Sequence, residues 1–284
     1  MDFSKHIVYL KVKDYSVSGE TFELLLDEEL QLLKTHPQPE PEKLGRYYES
    51  DDYISHTDGR RSMFEKLYHL VKQKALRDKV KLIDNFSATK GKLLDVGAGT
   101  GDFLVAAKKS NWQTTGIEPS AKAKAIAEAK GVAFEHSLEQ IEDNSFDVIT
   151  MWHVLEHVPD VEKEISELKR ILKPNGVLVV AVPNFKSHDA KKYGEYWAAY
   201  DVPRHLWHFS KTAIEKLFGH QEMDVVKVLP MKFDSFYVSL LSEKYKSGKM
   251  NYLAGFLSGL TSNYKAAKNL DYSSHIYIIK MHQN

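Results

Sequence analysis

His153, Glu156 and His157 stand in the order His-x-x-Glu-His within "HVLEHV". Two imidazoles four apart share one face of a helix, and a carboxylate beside them can activate a water. That is the spacing of a zinc-peptidase helix. A second set lies in "LLDVGAGTGDF", where Gly97, Gly99 and Gly101 follow Asp95 and enclose Ala98. Glycines there permit a tight turn and let the backbone approach a ligand with no Cβ in the way. Glu118 follows 21 residues beyond Gly97, where an acid can accept hydrogen bonds from both hydroxyls of an adenosine ribose. It can equally be a favourable acid at a helix N-terminus, because "EPSAKA" starts a helix. Pro119 suits a first helical turn and fits both readings. The third set is "YDVPRHLWHFS" (200–210), with Asp201, Arg204, His205 and His208 among aromatics. Histidine can accept a hydroxyl proton at neutral pH. A structural turn anchored by an Arg–Asp pair would use the same residues.

These sets sit on a regular alternation. From Lys90 onward, short apolar runs ("GKLLDV", "WQTTGI", "VAFEH", "SFDVITMW", "GVLVVAVP") alternate with helical stretches. Such alternation predicts a parallel sheet covered on both faces. "SKTAIEKLFG" reads as a helix capped by Ser210, and "MDVVKVL" and "SSHIYIIKM" read as two closing strands. Residues 231–272 between them read as a helical insertion. Upstream, 60–86 has the apolar spacing of one or two amphipathic helices, and "THPQPEPE" (35–42) reads as a linker. "TFELLLDEELQLLK" alternates and then turns helical, and is too small for a core of its own.

Composition limits the possibilities. The 284-residue chain has 39 Lys+Arg and 39 Asp+Glu, so it lacks the basic excess of a nucleic-acid binder. It has no cysteine, which excludes disulfides, thiolate zinc sites and cysteine nucleophiles. The charged N-terminus does not read as a signal peptide. The longest uncharged run, Met250 to Tyr264, is too short and polar to span a bilayer. A cytoplasmic protein without an integral membrane segment is expected, as monomer or homodimer.

"LLDVGAGTGDF", "GIEPS", "SFDVITMWHVLEHVPD" and "LKRILKPNGVLVVAVPN" occur in this order. Together they resemble the successive motifs of class I S-adenosyl-L-methionine (SAM)-dependent methyltransferases. Over about 90–230 the chain is most similar to a bacterial small-molecule subgroup like the ubiquinone-biosynthesis O-methyltransferases. The resemblance implies an α/β fold: a Rossmann-like seven-stranded sheet with an antiparallel last strand, plus an N-terminal helical extension and a helical cap insertion. It divides the chain into an extension (1–45), a helical lid (46–89) and a SAM-binding catalytic domain (90–284) carrying the cap (231–272). It implies methyl transfer from SAM to a small-molecule acceptor, expected at oxygen, leaving S-adenosyl-L-homocysteine.

The same resemblance places Asp95, Gly97, Ala98, Gly99, Gly101, Glu118, Pro119, Ser137, Leu138, Trp152 and His153 around SAM. It places Tyr200, Arg204, Phe233 and Tyr237 near the acceptor, with His205 and then His208 as candidate bases. In this reading "HVLEHV" is a loop after a strand, cut short by Pro159, and no metal is assigned. His153 borders the methionine end of SAM, while Glu156 and His157 fix the loop; a purely structural role for all three stays open. Residues 1–45 look like the remnant of a zinc ribbon whose cysteines are absent. Tyr47, Tyr48, Tyr53 and His56 are candidates for closing over SAM, or for hinge packing. Two other functions remain: a SAM-binding regulatory protein without catalysis, and an NAD-dependent enzyme on a similar sheet. The antiparallel last strand argues against NAD.

Overall fold

The apolar runs form one sheet, and its strand order creates the crevice where the chemistry-bearing loops meet. The structure, a computed structural model, describes residues 1–48, 63–87 and 90–282. The strands of this sheet are β4 (Lys92–Val96), β5 (Gln113–Ile117), β6 (Ala133–Phe134), β7 (Phe146–Trp152), β8 (Leu172–Pro183), β10 (Met223–Pro230) and β11 (Ser274–Met281). They lie in the order β10-β11-β8-β7-β4-β5-β6. Pairings among β4 to β8 are parallel, whereas β11 runs antiparallel to both β8 and β10. The expected antiparallel last strand is therefore present. The chain leaves β4 toward β5 on one side and returns as β7 on the other. The carboxyl ends of β4 and β7 thus flank the switch point where open α/β sheets bind ligands.

Central strands are buried on both faces and are correspondingly apolar: Leu93, Leu94, Val148, Ile149, Val179 and Val180 are fully buried. Helices α2 (Met63–Asp84) and α3 (Asp102–Lys109) cover one face through Ile83, Phe103, Leu104 and Ala107. Helices α5 (Val161–Ile171) and α7 (Lys211–Gly219) cover the other through Ile165, Leu168, Ile214 and Leu217. Ser120, Asp160 and Ser210 each accept a backbone N–H at the start of a helix, so these boundaries follow from capping chemistry. The helix that Ser120 caps is α4 (Ala121–Ala129).

The N-terminal extension is mainly strand rather than helix, contrary to expectation. Residues 1–36 carry β1 (Val8–Lys13), β2 (Thr21–Asp27) and β3 (Leu32–His36). The alternation of Phe22 and Leu24 with solvent-facing residues continues as strand, and a turn over Glu28–Gln31 reverses the chain into β3. Asp27 holds that turn by accepting the Leu30 N–H at 2.9 Å. The helical spacing seen in "DEELQLLK" is the junction of turn and strand. The proline segment 35–42 is only partly linker: β3 reaches His36, and Pro41 opens the short helix α1 (Pro41–Leu44). A fourth strand, β9 (Trp207–His208), comes from the polar segment after β8 and pairs with β3. The small sheet is thus completed by the larger body, and Phe22, Leu24 and Leu33 share a core cluster with Phe185, Trp197 and Tyr200.

Between β10 and β11 the chain forms an antiparallel helix pair, α8 (Asp234–Ser247) and α9 (Tyr252–Asn269). Gly255 and Gly259 let the pair close tightly, since a Cβ on either would lie under 3 Å from backbone of Leu240 or Phe236. The pair is tied to the body by buried Asp189, on α6 (His188–Tyr193). Its carboxylate accepts Ser262 Oγ at 2.7 Å, Ser273 Oγ at 2.6 Å and Trp197 Nε1 at 2.8 Å.

Candidate active site

The glycine loop leaves β4 and opens α3. Gly97, Gly99 and Gly101 all have positive φ, at 71°, 52° and 75°, yet they serve different ends. A Cβ on Gly97 would lie 2.4 Å from Val154 Cγ2, and one on Gly101 would lie 2.8 Å from Ala127 Cβ. These two are demanded by packing. Above Gly99 nothing among the described residues lies within 4 Å, so its missing side chain leaves an open cradle there. The backbone N–H groups of Gly97 and Ala98 both donate to the Ile117 carbonyl, at 2.8 and 3.0 Å, tying the loop to β5.

Glu118 joins these parts. One carboxylate oxygen accepts the Gly99 N–H at 2.8 Å and the other accepts the Ser120 N–H at 2.8 Å. Each oxygen keeps a lone pair, so capping and ligand binding are compatible rather than exclusive. Asp95 lies deeper. It accepts Thr150 Oγ1 at 2.5 Å, and burial pushes its carboxyl up to about 7. Trp152, at the end of β7, stands edge-on to Phe103 at 5.7 Å. Its indole N–H is buried with no hydrogen-bond partner among the described residues. Pro119 is exposed just before Ser120, the N-cap of α4, Ser137 is extended, and Leu138 is buried in the turn that follows it.

Two participants went unnoticed in the sequence. Lys79 of α2 holds its ammonium 4.1 Å from the Trp152 ring centroid. Burial lowers its pKa, while Asp95 and Asp234 oppose that. Lys79 was hidden because a lysine on an amphipathic helix usually faces water. Asp234 opens α8, and its Oδ2 stands 3.1 Å from His153 Nε2; His153 Nδ1 is 3.3 Å from Glu156 Oε1. Burial alone would lower the His153 pKa, but Asp234 and Glu156 outweigh it and push it up to about 10. His153 is therefore a cation near neutrality that clamps the cap insertion to the end of β7, and it does so in a left-handed conformation, φ 59°.

"HVLEHV" resolves differently from a peptidase helix. After β7 the chain makes only a short 3-10 turn, Leu155–His157, and the His153 ring engages Asp234. The residue that joins Glu156 and His157 is His205: one ligand-capable atom from each lies within 4.8 Å of the others. The His157 and His205 rings meet edge to face at 4.6 Å. Burial, and then the neighbouring His205, lower the His157 pKa to about 4.

The acceptor-side candidates do not converge. Arg204 is buried. It donates to both Asp201 oxygens at 3.0 and 2.6 Å, to Asp14 at 3.1 Å, to the Tyr47 carbonyl at 2.8 Å and to Ser16 Oγ. These bonds make it a clamp between the turn after β1 and the 200–208 segment. Tyr200 is buried between Trp197 and His208. Phe233 and Tyr237 lie exposed on the cap, 53% and 52% accessible. His208 is buried with Nε2 3.0 Å from Thr35 Oγ1, and burial lowers its pKa well below the usual value. Tyr47 is buried and donates to Glu20 at 2.6 Å, and Tyr48 Oη lies 3.2 Å from His157 Nδ1. Tyr53 and His56 lie outside the described residues.

Comparison with known proteins bears on the family and the fold. Residues 67–228 match the family described as Methyltransferase domain. A ubiquinone biosynthesis O-methyltransferase of Actinobacillus pleuropneumoniae is 38% identical over 107 residues, covering 33% of this chain and 46% of that protein. One from Histophilus somni is 28% identical over 187 residues, covering 59% and 78%. The chain spans about half the length of several such relatives. Among solved structures, the magnesium protoporphyrin IX methyltransferase of Synechocystis superposes with a TM-score of 0.55 at 14% identity, covering 84% of this chain and 99% of that one. The [4+2]-cyclase SpnF gives 0.52 at 19%, covering 80% and 85%. Both likenesses concern the fold.

The sheet order and its glycine loop define a class I, Rossmann-like SAM-binding fold. The chain belongs to the methyltransferase domain family, and SAM is the cofactor its site has to accommodate. The residues present fit that group. Among the described residues the space above Gly99 is open, Glu118 has acceptor capacity to spare, and the Trp152 N–H lacks a partner. Among the described residues no helix is long and apolar enough to cross a membrane.

Proposed function

We propose that this protein is an enzyme that transfers the methyl group of SAM to an oxygen of a small, ring-bearing acceptor of the quinone-precursor type. The observation that carries the reading is the Glu118 carboxylate, bonded to Gly99 N–H at the open cradle. SAM, when bound, supplies a methyl on a positively charged sulfur, a good leaving group that asks little further chemistry of the protein. Glu118 and the Gly99 backbone hold the nucleoside, and the His153–Asp234 pair fixes the cap over the same sheet edge. Holding acceptor and donor in line provides most of the acceleration. His205 is the base candidate. Its Nδ1–H donates to the Ala199 carbonyl at 2.9 Å, so the lone pair of the neutral ring is on Nε2 and can take a hydroxyl proton. The names of the relatives support a quinone-type acceptor.

Calorimetry should show micromolar binding of SAM and of S-adenosyl-L-homocysteine, and no comparable binding of NAD. Labelled methyl should pass from SAM to catechol-type quinone precursors, with the product identified by mass spectrometry. Binding without transfer to any extract component would favour the regulatory reading. Heat with NAD alone would overturn the assignment.

A further inference from the structure

We propose that the outer face of the cap pair α8 and α9 docks this protein on the surface of a bilayer that contains anionic phospholipid. Helix α9 is turned inside out. It buries Gly255, Ser258, Gly259, Ser262 and Ala266, and it presents its large apolar residues to solvent. Leu253, Phe256, Leu257, Leu260 and Tyr264 are each 50% accessible or more. Their spacing of three and four residues makes one stripe along a helix about 27 Å long. A helix that served only the fold would turn such a stripe inward. Here the inner face has to admit the backbone of α8 at Gly255 and Gly259, so the bulky side chains lie on the other side. A contiguous apolar patch of this kind marks an interaction surface.

Charge identifies the partner. The whole chain is balanced at 39 basic and 39 acidic residues, but residues 231–270 hold six lysines against two acids, Asp234 and Glu243. Both acids are engaged elsewhere: Asp234 faces His153, and Glu243 accepts Tyr193 Oη at 2.9 Å. The cations bracket the stripe. Lys246 and Lys249 precede α9, and Lys265 and Lys268 stand in its last turns. All four are exposed, and none has an ion pair among the described residues. Lys268 holds its ammonium 5.1 Å from the Tyr264 ring centroid. Leucine and phenylalanine between an aromatic end and flanking lysines suit a lipid interface, where the apolar side chains sink between headgroups and the lysines reach phosphates.

A second copy of this chain fits the stripe less well. Lysines stand at both ends of α9, so a two-fold partner brings like charges together whether the helices lie parallel or antiparallel. A bilayer surface meets all of them with the opposite charge. The helix lies on that surface and does not cross it, being too short and too polar to span. The match to the methyltransferase family ends at residue 228, so the cap lies outside the shared domain. The docking does not depend on which acceptor is methylated.

Flotation of the full-length protein with lipid vesicles tests the dock. Wild type should float with vesicles of mixed phosphatidylglycerol and phosphatidylcholine, and far less with phosphatidylcholine alone. Binding should decline as salt is raised, because the lysine–phosphate attraction is screened. Replacing two leucines, Leu253→Asn with Leu257→Asn, should weaken binding to the mixed vesicles by about tenfold. Replacing four lysines, Lys246→Gln, Lys249→Gln, Lys265→Gln and Lys268→Gln together, should remove the preference for anionic lipid. Every replaced side chain is exposed, so thermal melts of both variants should match wild type. Wild type that stays in solution, that binds both vesicle types equally, or that binds no better than the leucine variant would overturn the proposal. Light scattering that shows a dimer split by the leucine substitutions, without vesicle binding, would assign the stripe to a second copy instead and also overturn it. If a variant fails to fold, the lipid preference and salt dependence of wild type still decide.

Discussion

Glu118 shows how one carboxylate can hold a loop and await a ligand together. Its two oxygens bracket the glycine loop and the start of α4 through the N–H groups of Gly99 and Ser120. Glu118→Gln keeps the shape but turns an amide NH2 toward one of those N–H groups. Stability of the ligand-free protein should fall by about 1 kcal/mol, the value of one such bond. Affinity for SAM should fall further, on the order of ten- to a hundredfold, because charge-assisted bonds are worth roughly 1.5–3 kcal/mol. Calorimetric titration and apo melts of both proteins measure the two effects. A loss of stability with unchanged affinity would leave Glu118 as a cap alone. From sequence, helix acid and ribose acid looked like rivals; the geometry makes them one device.

The elements were the most readable part of the chain. Apolar runs fixed the parallel strands, and serine and aspartate caps fixed several helix starts, because these signals are local. The N-terminal hairpin was misread because a short turn inside "LLLDEELQLL" mimics helical spacing. Lys79, Asp234 and the His157–His205 contact were illegible for another reason: each joins segments far apart in the chain. The glycine loop shows the same limit, since sequence gives three glycines but not their separate burdens. Gly97→Ala drives a Cβ to within 2.4 Å of Val154 Cγ2 and should lower the melting temperature strongly. Gly99→Ala meets no atom of the described residues, bears only the about 1 kcal/mol cost of a left-handed residue, and fills the cradle. Melts and S-adenosyl-L-homocysteine titrations should therefore rank the variants in opposite order; the same ranking in both would refute the division.

Across the whole molecule, one buried acid should leave its mark on stability against pH. Burial pushes Asp95 up to about 7 in the folded protein, above the ordinary 3.8. Between those values the unfolded chain has lost this proton while the folded chain keeps it, so the folded state is favoured below about pH 4. The advantage declines as pH rises toward 7 and is flat beyond. Asp95→Asn cannot ionise and can still accept the Thr150 hydroxyl. Relative to wild type, it should gain stability from about pH 4 to about pH 7 and then level off, on the order of a few kcal/mol at the plateau. A constant difference between the two melting curves would show that Asp95 does not titrate there. Another whole-molecule property follows from the pairing of β3 with β9 and from Thr35, whose hydroxyl donates to the His205 carbonyl at 2.7 Å. A strand slipped by one residue turns every side chain to the opposite face. One inserted or deleted codon within β3 would thus withdraw Thr35 from the segment carrying His205. The first 36 residues and the 200–208 loop can therefore diverge in composition over generations, but not independently in length.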